Sequence, residues 1–333
     1  MIRHSRWCGL FVVSLLLNAA GCVIYPVRVE VEDHKTASFE GVQRVAVDTR
    51  NGAIEVRCDP QAKQVEVHSI RSARGLTEKD AREFAEMIEI EIGKDAARPD
   101  TLRIGSKMPV TDIYRSQGTR FDIVMPPNAE LILETRNGRI VASGCEKDVH
   151  ATTSNGRINV RDCNASLVAE TSNGEVSAWD VKGDVDVRSS NGSLDLQRVG
   201  KTKVKAITSN GRIRIVDASG AATLRTSNGS VELHCRSVPA NADIQVVSSN
   251  GNVEVEIPGN INANVDMQTT NGRVHSELKG VQVADLETSR TSMRAKLNEG
   301  GGKIDIRTGN GSVTLRTVTD ATTTTVKPAQ ARS

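Results

Sequence analysis

The chain is poor in aromatic residues. They make up 2% of its 333 residues, and between Asn137 and Arg316 only Trp179 is aromatic. A core in that region must be built from Val, Ile, Leu, Ala and Thr, which favours a thin, layered interior over a globular one. Charge of one sign is also lacking: 43 basic residues against 41 acidic ones give a formal net charge of +2. That excludes the cationic footprint by which a nucleic acid is held. The six histidines, His4, His34, His68, His150, His234 and His275, are dispersed, with no H-E-x-x-H and no Cys-His spacing suited to zinc. They read as surface residues, and no metal is expected. Calcium-binding solenoids need an acidic residue in every repeat, and the Asp184 and Asp186 pair here is isolated. No nucleophile elbow or phosphate loop occurs; "GGGK" at 300–303 lacks the spacing and the following Ser or Thr of a P-loop. Neither a catalytic residue nor a cofactor is expected.

Long apolar runs are missing except at the start. Residues 1–22 carry a basic segment (Arg3, His4, Arg6) and the stretch "CGLFVVSLLL", too short to span a bilayer. The segment ends in "NAAGC". Small residues before Cys22 resemble the lipobox of bacterial lipoproteins, in which the cysteine sulfur is acylated and the signal is cut before it; Ala19 stands where Leu is commoner. An ordinary secretory signal cut nearby is the alternative. Two or three acyl chains would hold the chain on a membrane, where one would not. Val23 after the cysteine resembles the outer-membrane sorting pattern of hosts with two membranes.

What the chain has in abundance is Asn-Gly. The pair falls at residues 51, 137, 155, 173, 191, 210, 228, 250, 271 and 310. "LETSRTSMRA" reads as a degenerate copy with Arg290-Thr291 in the same slot, which makes eleven units. Asn-Gly signals a tight corner because both residues tolerate positive φ. The columns keep register. Six residues before the Asn stand Val45, Leu131, Val149, Leu167 and so on to Ile304, and four before it Val47, Leu133, Ala151 and so on to Ile306, all apolar. Three after it the residue is again always apolar, and five after it Ser276 is the one exception. Each unit is thus two short strands of period two, one face buried, joined at the Asn-Gly corner.

A meander of hairpins and a stacked solenoid both fit that pattern. Column identity favours the solenoid: two before the Asn the residue is Ser or Thr in all eleven units, and Asn fills its slot in ten. A hairpin gains nothing from matching its neighbour, whereas stacked coils gain hydroxyl and amide ladders from like-on-like contact. The fold class is all-β, a β-solenoid of about eleven short coils with a small α+β capping insertion.

The expected organisation is a lipoprotein signal at 1–22, a first coil and cap at 23–136, the Asn-Gly solenoid at 137–317 and a disordered tail at 318–333. In the cap, "TEKDAREFAEMIEIEIG" places Ala81, Phe84, Ala85, Ile88 and Ile92 at helical spacing behind Thr77 as N-cap. The cap would close one sheet end against edge pairing.

The first coil, the helix-bearing insertion, "IVMPPNAELILETRNG" and the serial "TSNG" units together resemble the bacterial "putative adhesin" domain family over roughly residues 40–316. That resemblance implies a right-handed β-helix-like solenoid, an envelope location and no established enzyme activity. It carries no functional residues to transfer.

The expected function is a lipid-anchored, non-catalytic envelope protein, an adhesin-like scaffold that binds an envelope protein or a cell-wall or surface polysaccharide along the solenoid. A polysaccharide-active β-helix enzyme and an envelope stress or assembly module acting through its cap are the alternatives. Candidate surface contacts are Trp179 and the recurrent arginines Arg139, Arg157 and Arg212. Cys145 and Cys163 each lie eight residues after their unit's Asn and 18 apart, one full coil, which suits a disulfide. Cys58 is the competing partner for Cys145, and Cys235 has no cysteine in an adjoining unit.

Overall fold

The computed structural model describes residues 25–108 and 116–318. The lipidation candidate Cys22 and all of the tail but Val318 fall outside them. Two long sheets, of 13 and 14 strands, face each other across one continuous apolar core. Each coil gives one strand to each sheet and turns between them at its Asn-Gly corner.

Strands β1 (Val27–Ser38), β2 (Arg44–Thr49), β3 (Ile54–Cys58) and β4 (Gln64–Gly75) are followed by helix α1 (Glu78–Glu86). Strands β5 (Glu89–Lys94), β6 (Thr101–Lys107) and β7 (Gln117–Met125) complete the cap. The first coil, β2 and β3, stacks directly on the coil of Asn137, although 86 residues separate them in the chain. Beyond it β6 and β7 add one more parallel layer. Antiparallel β5, β4 and β1 then close the two sheets.

Helix α1 is shorter than its apolar spacing suggests. Thr77 caps it, its hydroxyl accepting from the Asp80 amide, and Met87 ends it. Ile88, expected on the helix, follows that end, and Ile92 lies on β5. The run from Ile88 alternates isoleucine with glutamate, and that period-two pattern wins the segment for the sheet.

Three ladders hold the coils together. Each corner asparagine donates its side-chain amide to the side-chain oxygen of the asparagine on the coil below, at 2.6–2.9 Å. Each Ser or Thr two residues earlier donates to the corner glycine carbonyl of the coil below, at 2.7–3.1 Å. The third ladder is the glycines themselves. A Cβ at Gly156, Gly174 or Gly192 would lie 1.5–1.7 Å from the carbonyl oxygen of the glycine below.

The glycine is therefore required for a different reason than positive φ. None of the corner asparagines has positive φ, and among the corner glycines only Gly52 and Gly311 do, at 158° and 153°, close to extended. Left-handed backbone occurs instead at the opposite corner, seven residues after the Asn. There Asp162, Asp180, Arg198 and Asp217 take φ of 54°, 57°, 50° and 57°. Aspartate tolerates that region better than most residues.

All three ladders agree that the coils do not stack in chain order at the far end. The coil of Asn310 (Gly302–Asn310 and Val313–Val318) lies between that of Asn250 and that of Asn271. The degenerate unit is not a coil either. Val283–Thr288 and Ser292–Leu297 form an antiparallel hairpin, and its second strand pairs with Ala263–Asn271 at the edge of the 14-stranded sheet. Ala284 and Leu286, apolar in the repeat register, are consequently exposed. Without an Asn-Gly corner, "SRTS" closes as a hairpin turn in which Ser289 Oγ accepts from the Thr291 and Ser292 amides. The solenoid thus has ten full coils and a terminal hairpin.

Candidate functional site

The long faces of the solenoid carry the predicted contact residues. Trp179 points outward and is half buried, flanked across the parallel ladder by Arg161 and Gln197. Arg139, Arg157 and Arg212 are all exposed. They do not form a free cationic stripe: Arg139 pairs with Glu55 at 3.5 Å, and Arg212 pairs with Glu232. For Arg157 no ion pair is found among the described residues.

Part of the charge on these faces is matched from coil to coil. Arg198 binds Asp180, Arg236 binds Asp217 at 3.1 Å, and Lys205 reaches Asp186 at 3.1 Å. The Arg198 guanidinium holds the Asp180 carboxyl below its ordinary range. Burial pushes the Asp186 and Glu232 carboxyls up, but Arg188 with Lys205, and Arg212 with Arg214, reverse that and leave both lowered. A general acid working near neutral pH needs the opposite displacement.

The cysteines form a column. Cys58, Cys145 and Cys163 follow one another on adjacent coils, and all three are buried. The described cysteines, Cys58, Cys145, Cys163 and Cys235, stand as free thiols in this structure. The stacked register behind the expected Cys145–Cys163 disulfide is present, with the Asn164 amide donating to the Cys145 carbonyl at 2.7 Å. Cys145 sits between two partners, its sulfur 3.6 Å from that of Cys58. Hydrogen bonds with Cys163 and Cys58, together with burial, push the Cys145 thiol up and keep it protonated. Burial alone raises Cys235 to about 12. Non-reducing peptide mapping of the oxidised protein should recover Cys145 joined to Cys58 or to Cys163, with Cys235 still a thiol. A Cys145–Cys235 peptide would contradict the column.

The concave features lie at the ends. A cleft of about 510 Å³ opens on the outer face of the cap sheet, lined by His34, His68, Glu55, Arg57, Arg120 and Asp122 among others. A second, of about 550 Å³, lies between β2, β6 and the coil of Asn137, with Arg44, Arg103 and Glu134 on its walls. In the first cleft the fold joins two histidines that the sequence leaves 34 residues apart. His34 on β1 is the antiparallel partner of His68 on β4, and their rings stack with centroids 4.1 Å apart. His68 in turn faces Asp122 on β7. The sequence reading missed this because it depends on which strand β1 chooses. The alternating "VRVEVEDHKTAS" and "QVEVHSIRSARG" segments were the available signal.

The architecture is that of an all-β solenoid of stacked two-strand coils closed by a small α+β cap. Residues 43–316 match the model of the Toastrack DUF4097 family, and the chain belongs to that family. Among solved structures it is similar to a "putative cell adhesion protein" from Clostridium sporogenes, at 11% identity over 87% of this chain and 100% of the other, with a TM-score of 0.26. It is also similar to a "putative adhesin" from Bacteroides fragilis, at 10% identity over 86% of this chain and 97% of the other, with a TM-score of 0.40. No curated protein matches the chain.

Proposed function

We propose that this protein is a lipid-anchored, non-catalytic scaffold of the cell envelope that presents its solenoid, adhesin-like, to a partner protein or a surface polysaccharide. The observation that carries the reading is the unbroken run of ladders through ten coils. At one strand spacing per coil it makes a stiff rod about 43 Å long. Ion pairs such as Arg198–Asp180 and Arg236–Asp217 take up part of its side charge, and its displaced carboxylates lie on the acidic side of their usual values. A stiff rod with flat, charge-balanced faces suits display along a surface better than chemistry in a groove. Trp179, with Arg161 and Gln197 beside it, is the contact row we assign to the partner. The clefts of the cap favour a second reading, capture of an envelope component through the cap.

Fractionation tests the anchor. Cys22→Ala should move the protein from the membrane fraction to the soluble one, because the acyl chains supply the attachment. Unchanged partition into the detergent phase would contradict the anchor. Pull-down from the native envelope with Trp179→Ala beside the unsubstituted chain tests the display surface, and equal capture of the same partner by both would remove Trp179 from it. Turnover of a uronate polymer that a single acidic substitution abolishes would overturn the non-catalytic reading.

A further inference from the structure

We propose that Glu32, His34 and His68 form a divalent transition-metal site, of the zinc class, that clips the edge strand β1 to β4. One ligand atom from each of the three lies within 4.8 Å of the others. His68 Nε2 stands 3.3 Å from Glu32 Oε2. Two ligands of a tetrahedral zinc ion, each about 2.0–2.1 Å from the metal, are separated by about 3.3 Å, so this pair is already spaced for coordination.

The other ring nitrogen has a carboxylate beside it. His68 Nδ1 faces Asp122 Oδ2 at 3.8 Å, while Arg120 Nε donates to Asp122 Oδ1 at 2.8 Å and fixes the carboxylate. At 3.8 Å the carboxylate lies just beyond hydrogen-bond reach, and a small turn of the His68 ring on binding metal would bring the two into the bond that orients a metal-binding histidine. His34 is exposed and stacked on His68, with the rings 2° from parallel. To ligate, the His34 ring gives up this stack and turns about its side-chain bonds, which bring a nitrogen toward an ion held by Glu32 and His68. Two imidazoles and one carboxylate suit zinc, and the cleft leaves the fourth position to water or to a ligand from outside the chain.

The site also answers a structural need. β1 is the outermost strand of its sheet, twelve residues long, and pairs on one side only. A cross-strand clip at its middle holds it in register.

The test uses the full chain without a polyhistidine tag, stripped by a chelator and titrated calorimetrically with zinc chloride. One zinc per chain should bind. His34→Ala, His68→Ala and Glu32→Gln should each raise Kd about tenfold or more, and Asp122→Asn, which only orients His68, about tenfold. His275→Ala, at the far end of the solenoid beside Glu277, should leave Kd unchanged. In the unsubstituted chain, zinc should protect His34 and His68, but not His275, from diethyl pyrocarbonate, a readout that does not depend on how the variants fold. Absence of zinc binding, binding indifferent to both His34→Ala and His68→Ala, or no protection of the pair would overturn the site.

Discussion

Gly192→Val is expected to destabilise the solenoid by about 3 kcal/mol or more, while Ser193→Val, one residue on, changes stability by less than about 0.5 kcal/mol. The two positions share one corner and differ in what lies below them. An added Cβ at Gly192 falls 1.5 Å from the Gly174 carbonyl oxygen and 2.3 Å from its carbon, with the Ser189 hydroxyl at 2.9 Å. Backbone cannot move aside as a flexible side chain can, because Gly174 is held in the same way over Gly156. Opening one interface lengthens the Asn191–Asn173 bond and the Ser189–Gly174 bond together. Ser193 is exposed, so valine there meets solvent. Gly192→Ala separates two explanations of the corner. If the glycine were needed only for its backbone freedom, alanine at this non-positive φ would be tolerated and would restrict the unfolded chain favourably. Steric contact predicts that alanine also fails. Thermal unfolding of the three variants decides, and equal midpoints for Gly192→Ala and the parent would contradict the stacked corner.

Thr171→Val should cost about 1–3 kcal/mol despite its nearly identical shape. Thr171 is buried, its hydroxyl donates to the Gly156 carbonyl at 3.0 Å, and it accepts from the Gly174 amide at 3.1 Å. Valine fills the same space but leaves a carbonyl and an amide unpaired where water cannot easily reach them, and such groups are costly to strand. Thr171→Ser keeps both bonds and loses one methyl, so it should lie much closer to the parent; Ser189 already makes both bonds in its coil. Chemical denaturation of the pair checks the order. Valine more stable than serine would show that the column is kept for packing and not for its ladder.

The strand positions and their faces were legible in the sequence because burial imposes the same period on every unit. Val149, Ala151, Ile158 and Val160 are all buried, as their columns require. The Asn and Thr ladders were legible for a related reason, since only stacking rewards identity between units. Coil order was not. Units with interchangeable columns stack equally well in several orders, so nothing in the residues around Asn271 and Asn310 says which lies next to Asn250. The hairpin at 283–297 was hidden by apolar residues that happen to fit the register, although its missing Gly, now seen as the corner's steric requirement, was a sign. The helix was overread because Ile88 and Ile92 satisfy both a helical and an alternating pattern. The His34 and His68 pair arises from antiparallel pairing in the cap, where no repeat supplies the register.

Pairwise cysteine crosslinking across the far coils tests the stacked order most directly. Val247, Arg307 and Gln268 occupy the same outward position on three successive strands, with Val247 opposite Arg307 and Arg307 opposite Gln268. Neighbouring strands lie about 4.8 Å apart, inside the window of about 4.4–6.8 Å for the Cα atoms of a disulfide, and strands two apart lie outside it at about twice that spacing. Val247→Cys with Arg307→Cys should therefore crosslink under mild oxidation, and Val247→Cys with Gln268→Cys should not. Crosslinking of the second pair and not the first would mean that the coils stack in chain order, and no crosslink in either would contradict the solenoid end itself.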